Sequence, residues 1–93
     1  PIDRKIVLRD LLLKYTEEIS PTHKGQVPET CRLRSIARRW IGELDVRYLT
    51  KQPFIQYRDG RLKVVTGGSV GSELALMKRV LDTAVKKWRY GIP

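Results

Sequence analysis

Ser69 to Trp88 read SVGSELALMKRVLDTAVKKW. Within this stretch Val70, Leu74, Met77, Leu81, Ala84 and Trp88 recur at alternating steps of four and three. That is the spacing of an amphipathic helix, with an apolar seam about five turns long. Glu73 falls in the first turn, where a carboxylate opposes the positive end of the helix dipole. Lys86, Lys87 and Arg89 gather near the negative end. Thr66-Gly67-Gly68-Ser69 reads as a break before the helix, with Thr66 and Ser69 as N-cap candidates.

Working outward, three further stretches carry helical periodicity. From about Val7 to Ile19, the residues Leu8, Leu11, Leu12, Tyr15 and Ile19 share one face. A second helix is expected from about Pro28 to Ile41, with Pro28 in its first turn, where a missing N–H costs nothing. Leu33, Ile36, Ala37, Trp40 and Leu44 form its expected inner side. A third should run from Thr50, as N-cap, to about Lys63, carrying Phe54, Ile55, Tyr57 and Leu62, with Pro53 in its first turn. Ser20-Pro21-Thr22-His23-Lys24-Gly25 reads as a loop, and Val64-Val65 is too short to argue for a sheet. Four amphipathic helices on short connections give an all-α, compact four-helix bundle occupying residues 1–93 as one domain.

Composition bounds the function. The 93 residues leave no room for a second core. Nineteen Lys and Arg face ten Asp and Glu, a formal charge of +9 with His23 neutral, while 41% of residues are hydrophobic. A basic disordered tail would lack that apolar content. The single Cys31 excludes an intramolecular disulfide and a cysteine-rich zinc site, and fits a reducing, cytoplasmic setting. No apolar run approaches the ~18 residues of a spanning helix, and no leader is legible, so no membrane role is expected.

A surplus of this size on a folding chain favours a polyanion. Rotating each residue by about 100° per step places Ser72, Arg79 and Lys86 opposite the seam of the last helix, flanked by Lys78 and Lys87. On the second helix Ser35, Arg38 and Arg39 face outward, with Arg32 and Arg34 at the margins. Helices that merely face water interleave the signs, pairing Glu with Lys four residues on. The run Arg32, Arg34, Arg38, Arg39 has no intervening carboxylate, and guanidinium groups suit bidentate phosphate or guanine contacts.

Catalytic chemistry is not legible. Thr66 to Ser72 lacks the lysine and spacing of a phosphate-binding loop. His23 stands without a second His or a nearby Cys, so neither a metal nor general-base work is expected of it. Cys31 reads as a half-buried filler, and Glu17, Glu18, Glu43 and Asp45 are scattered. No enzyme activity and no cofactor are expected.

The segments LRDLLLKYTEEISPTHKG, CRLRSIARRWIGELDVRYLT, FIQYRDGRLK and GGSVGSELALMKRVLDTAVKKW, in that order and ending in GIP, carry a resemblance. From about Val7 to Pro93 the chain resembles the N-terminal core-binding domain of phage-integrase-type tyrosine recombinases. The points of similarity are Ser20-Pro21 and Lys24-Gly25 after an acidic helix, Leu44 to Thr50 before the third helix, Tyr57-Arg58-Asp59-Gly60-Arg61-Leu62, and Ser69-Val70-Gly71-Ser72-Glu73-Leu74. The resemblance implies a SAM-like bundle that docks on double-stranded DNA through its second and fourth helices. It places the catalytic residues in a separate C-terminal domain of the same parent chain, and allows protomer contacts in a recombinase tetramer. The start at Pro1 fits an excised fragment. The residues it implies for DNA are Lys24, Gln26, Thr30, Arg34 and Arg38 around the second helix, with Gly68, Ser69, Ser72 and Arg79 on the fourth. Arginines and lysines would hold phosphates, while Thr30 and Ser72 would reach base edges. Gly67, Gly71 and Ser72 stand where the family carries larger side chains, so few groups are available for base readout. The alternative is a basic helical protein-interaction domain meeting an acidic partner.

Overall fold

A computed structural model describes residues 5–92 of the chain. The fold is all-α: α1 (Leu8–Glu18), α2 (Gln26–Ala37), α3 (Gln52–Arg61) and α4 (Gly67–Lys86), with 3-10 turns at Ser20–Thr22, Trp40–Glu43 and Val46–Tyr48. The bundle measures 37 × 32 × 19 Å. Its short axis is two helices deep, since packed helices lie about 8–10 Å apart.

Four of the five residues of the stripe expected for α1 are buried, while Ile19 caps the helix end and is half-buried. Leu8, Leu11, Leu12 and Tyr15 are each 3% exposed or less, and burying a side chain of that size contributes about 1.5–3 kcal/mol. The chain entering α1 is pinned to the connector after α2: the Leu8 amide donates to the Leu44 carbonyl (2.9 Å) and the Val46 amide to the Ile6 carbonyl (3.0 Å).

α2 departs from expectation at both ends. It starts at Gln26, two residues early, so Thr30 lies in its second turn rather than its first. It stops at Ala37, well short of Ile41, because Arg39 adopts extended backbone (φ −87, ψ 167). The 3.6-residue register is lost there, so Trp40 swings out to 53% exposure while Ile41 takes its place in the core. Two side-chain features fix this corner. Arg9 Nε donates to the Ala37 carbonyl at 2.7 Å, satisfying an orphan acceptor of the helix end. Gly42 packs so tightly that a Cβ there would collide with the Ala37 carbonyl oxygen.

α3 begins after Lys51, without a side-chain cap from Thr50. It buries only Tyr57, leaving Phe54 half-buried and Ile55 and Leu62 exposed. α4 is capped as the sequence indicates: Thr66 Oγ1 accepts from the Ser69 amide at 3.3 Å. Its buried face is turned from the expected seam. Val70, Glu73, Leu76, Met77, Val80 and Ala84 are buried, whereas Leu74 and Leu81 lie at the margin. Trp88 falls beyond the helix end, where Arg89 at φ 61 reverses the chain and the Tyr90 amide donates to the Ala84 carbonyl at 2.9 Å. Trp88 and Tyr90 then receive Lys14 Nζ over their rings, 4.6 and 5.5 Å from the centroids.

Glu73 explains the turned face of α4. Its Oε1 accepts from Tyr57 Oη (2.6 Å), Arg61 Nε (3.1 Å) and an Arg39 guanidinium nitrogen (3.3 Å), and its Oε2 from Arg61 at 3.0 Å. Instead of facing water as a dipole-stabilising charge, it is the buried hub that ties α3 and the α2 exit to α4. Arg39, expected on the outer basic row, is consumed by it.

Candidate functional site

α2 and α4 lie side by side, and two shallow grooves run between them. One, ≈ 310 Å³, is bordered by Gly25, Glu29, Arg32, Ser72 and Arg79; the other, ≈ 340 Å³, by Cys31, Arg32, Ser35, Arg39 and Glu73, each carboxylate being already engaged by an arginine of the fold. Arg32 borders both. Its guanidinium is exposed and has no carboxylate within 4.0 Å among the described residues.

The sequence-derived residues divide around this face. Gly68, Ser69, Ser72 and Arg79 are exposed on α4, and Lys24, Gln26, Arg34 and Arg38 are exposed at or on α2, with Thr30 half-buried. Of these, Ser72 and Arg79 border the groove together with Arg32 and Gly25. Thr30 and Arg34 are each two residues from Arg32, hence about 160° around α2 from it, on the flank away from α4. Arg38 lies about 120° from Arg32, toward the outer surface.

Local bonds set what each group can do. Ser72 Oγ donates to the Gly68 carbonyl at 3.1 Å, leaving its lone pairs to solvent. Ser69 is engaged by Thr66 through both its amide and its hydroxyl (each 3.3 Å), so its first duty is capping. Arg38 leans on Ser35 Oγ at 3.5 Å. Arg79 keeps 60% of its side chain exposed while lying 3.7 Å from Glu29. His23, expected to be alone, meets that same carboxylate: Nδ1 is 3.0 Å from Glu29 Oε2. Burial, reinforced by Glu29, pushes the neighbouring Tyr15 phenol up, so it stays neutral. Cys31 is exposed, not a half-buried filler, because it sits on the outward side of α2.

Sequence reasoning left Arg32 at the margin of α2 because the period of one helix does not say which flank a neighbour covers. The wheel puts Pro28, Arg32 and Ser35 within about 60° of one another, and in the fold that is the flank that meets α4. Among the described residues no group of three or more His, Cys, Asp or Glu is placed to hold a metal, and no helix is long and apolar enough to cross a membrane. No family model, curated protein or solved structure matches the chain.

Proposed function

We propose that this chain is a double-stranded-DNA-binding module, of the kind the core-binding domains of tyrosine recombinases represent, and that it holds phosphates along the face shared by α2 and α4. The observation that carries the reading is Arg32, an exposed guanidinium in the trough between the two helices with no carboxylate within 4.0 Å among the described residues. Ser72 and Arg79 stand across from it, and Lys86, seven residues after Arg79 on α4, extends the same surface. Guanidinium forks match phosphate oxygens bidentately, and hydroxyls such as that of Ser72 accept or donate at the backbone. The catalytic step belongs, in this reading, to another domain of the parent chain, which also closes the far side of the duplex. Binding by the module alone is therefore weak and strongly electrostatic.

The test is fluorescence anisotropy with a labelled duplex over a salt series. About five phosphate contacts give a slope of log K against log salt near −4 to −5. A slope near zero, or no binding at low salt, removes the proposal.

A further inference from the structure

On the other side of α4 the surface changes character. Leu74 and Leu81 lie about 160° around the helix from Ser72 and Arg79, so they belong to a different face from the one assigned to DNA. With Phe54 and Ile55 of α3 they line an open groove in two adjoining parts, ≈ 480 Å³ and ≈ 270 Å³, joined through Phe54 and Leu74. Lys51, Arg58 and Lys78 stand on its rim, and among the described residues neither part is lined by an Asp or Glu. Arg58 has Asp59 beside it at 3.1 Å, but Lys51 and Lys78 have no carboxylate within 4.0 Å among the described residues. An apolar floor between two helices, edged by cations, has the form that takes the apolar stripe of another helix.

We propose that this groove docks an acidic amphipathic helix of a partner protein, its apolar residues at i, i+3, i+4 and i+7 seated on Phe54, Ile55, Leu74 and Leu81. Its carboxylates would meet Lys51 and Lys78. Charge selects this occupant. A second copy of the chain would bring another +9 to a rim that is already cationic. A bilayer surface is flat, whereas the apolar atoms here line a concavity that a headgroup plane cannot fill. The inference is independent of the DNA reading, since it uses none of the same side chains.

The probe is a fluorescein-labelled helical peptide of about four turns, Leu at the anchor positions and Glu on the outer ones, added to the full chain. Saturable binding is expected, with amide chemical-shift changes confined to the segments around Lys51–Arg58 and Leu74–Leu81. Ile55→Ser and Lys78→Gln, both at exposed positions that leave the fold intact, should each weaken the peptide about tenfold. Ile55→Ser should leave duplex binding unchanged, and Arg32→Gln should leave the peptide unaffected. If duplex binding fails while the peptide still binds here, this surface stands without the other. The proposal is overturned if a peptide with Gln in place of every Leu binds as well, or if the shifts map to Arg32 and Arg79. It is equally overturned if concentration-dependent dimers or anionic phosphatidylserine vesicles, rather than the peptide, perturb the groove.

Discussion

Glu73 is 5% exposed, yet it sits between two arginines and a tyrosine, and its protonation state decides whether that corner of the bundle holds. Burial by itself would raise its pKa. The hydrogen bonds from Arg61 and Tyr57, with the charges of Arg61 and Arg39, outweigh it and hold the carboxyl below its ordinary value. Tyr57 moves the other way, pushed up by burial and then by Glu73, and remains a donor. The sign of the linkage follows. A carboxyl with a depressed folded pKa contributes stability that is complete above its unfolded value of about 4.3 and is lost as pH falls from there through the lowered folded value. Glu73→Gln keeps the shape and removes the charge, leaving two guanidiniums without a counter-ion. Both are partly solvated, at 30% and 21% exposure, so the loss should be about 2–3 kcal/mol, below that of a fully buried pair. Thermal unfolding followed by circular dichroism should show the gap between wild type and E73Q at its widest near neutrality and narrowing below about pH 4. A gap independent of pH would mean that the charge contributes nothing and only the packing was disturbed.

At the scale of the helix, what was legible depended on whether a residue type states its own environment. Leu8, Leu11, Leu12 and Tyr15 do, and α1 came out within a residue at each end. Thr66 does as well, because a hydroxyl before a glycine-rich helix start has few other duties. Glu73 does not: a carboxylate near a helix start reads as solvated, whereas here it is the seventh residue of α4 and is buried. The seam drawn through Leu74, Leu81 and Trp88 therefore passed over Leu76 and Val80, which lie on Glu73's side of the helix. The end of α2 was equally hidden. Trp40 fits the period from Leu33 to Ala37, and the break at Arg39 depends on a partner 34 residues away. The same distinction governs the glycines. A Cβ at Gly71, exposed inside α4, meets nothing within 4 Å, so Gly71→Ala should stabilise the protein by about 0.5–1 kcal/mol through helix propensity. A Cβ at Gly42 meets the backbone of Ala37 and the side chain of Arg9, so Gly42→Ala should destabilise by about 1–3 kcal/mol. Urea titrations should therefore shift the midpoint in opposite directions with unchanged slope. Equal shifts would show that the Arg9–Ala37–Gly42 corner yields more easily than its geometry indicates.

For the whole molecule, the +9 charge is less informative than its division among faces. Arg39, Arg47 and Arg61 are tied to Glu73 and Asp45 within the fold, which removes them from any ligand. On α2 the remaining arginines point two ways: Arg32 into the trough beside α4, Arg34 to the opposite flank. A rigid duplex lying along both α2 and α4 reaches the first flank and not the second. Counterion release then separates them, because each neutralised phosphate adds about 0.9 to the magnitude of the salt slope. Arg32→Gln should reduce that slope by about one, with a uniform loss of affinity across sequences, while Arg34→Gln should leave it unchanged. Equal reductions for both would mean that the field of the whole molecule, not a docked face, attracts the DNA. A loss confined to Arg34 would move the duplex to the far side of α2, where α4 contributes no cation and the two-helix interface has no role.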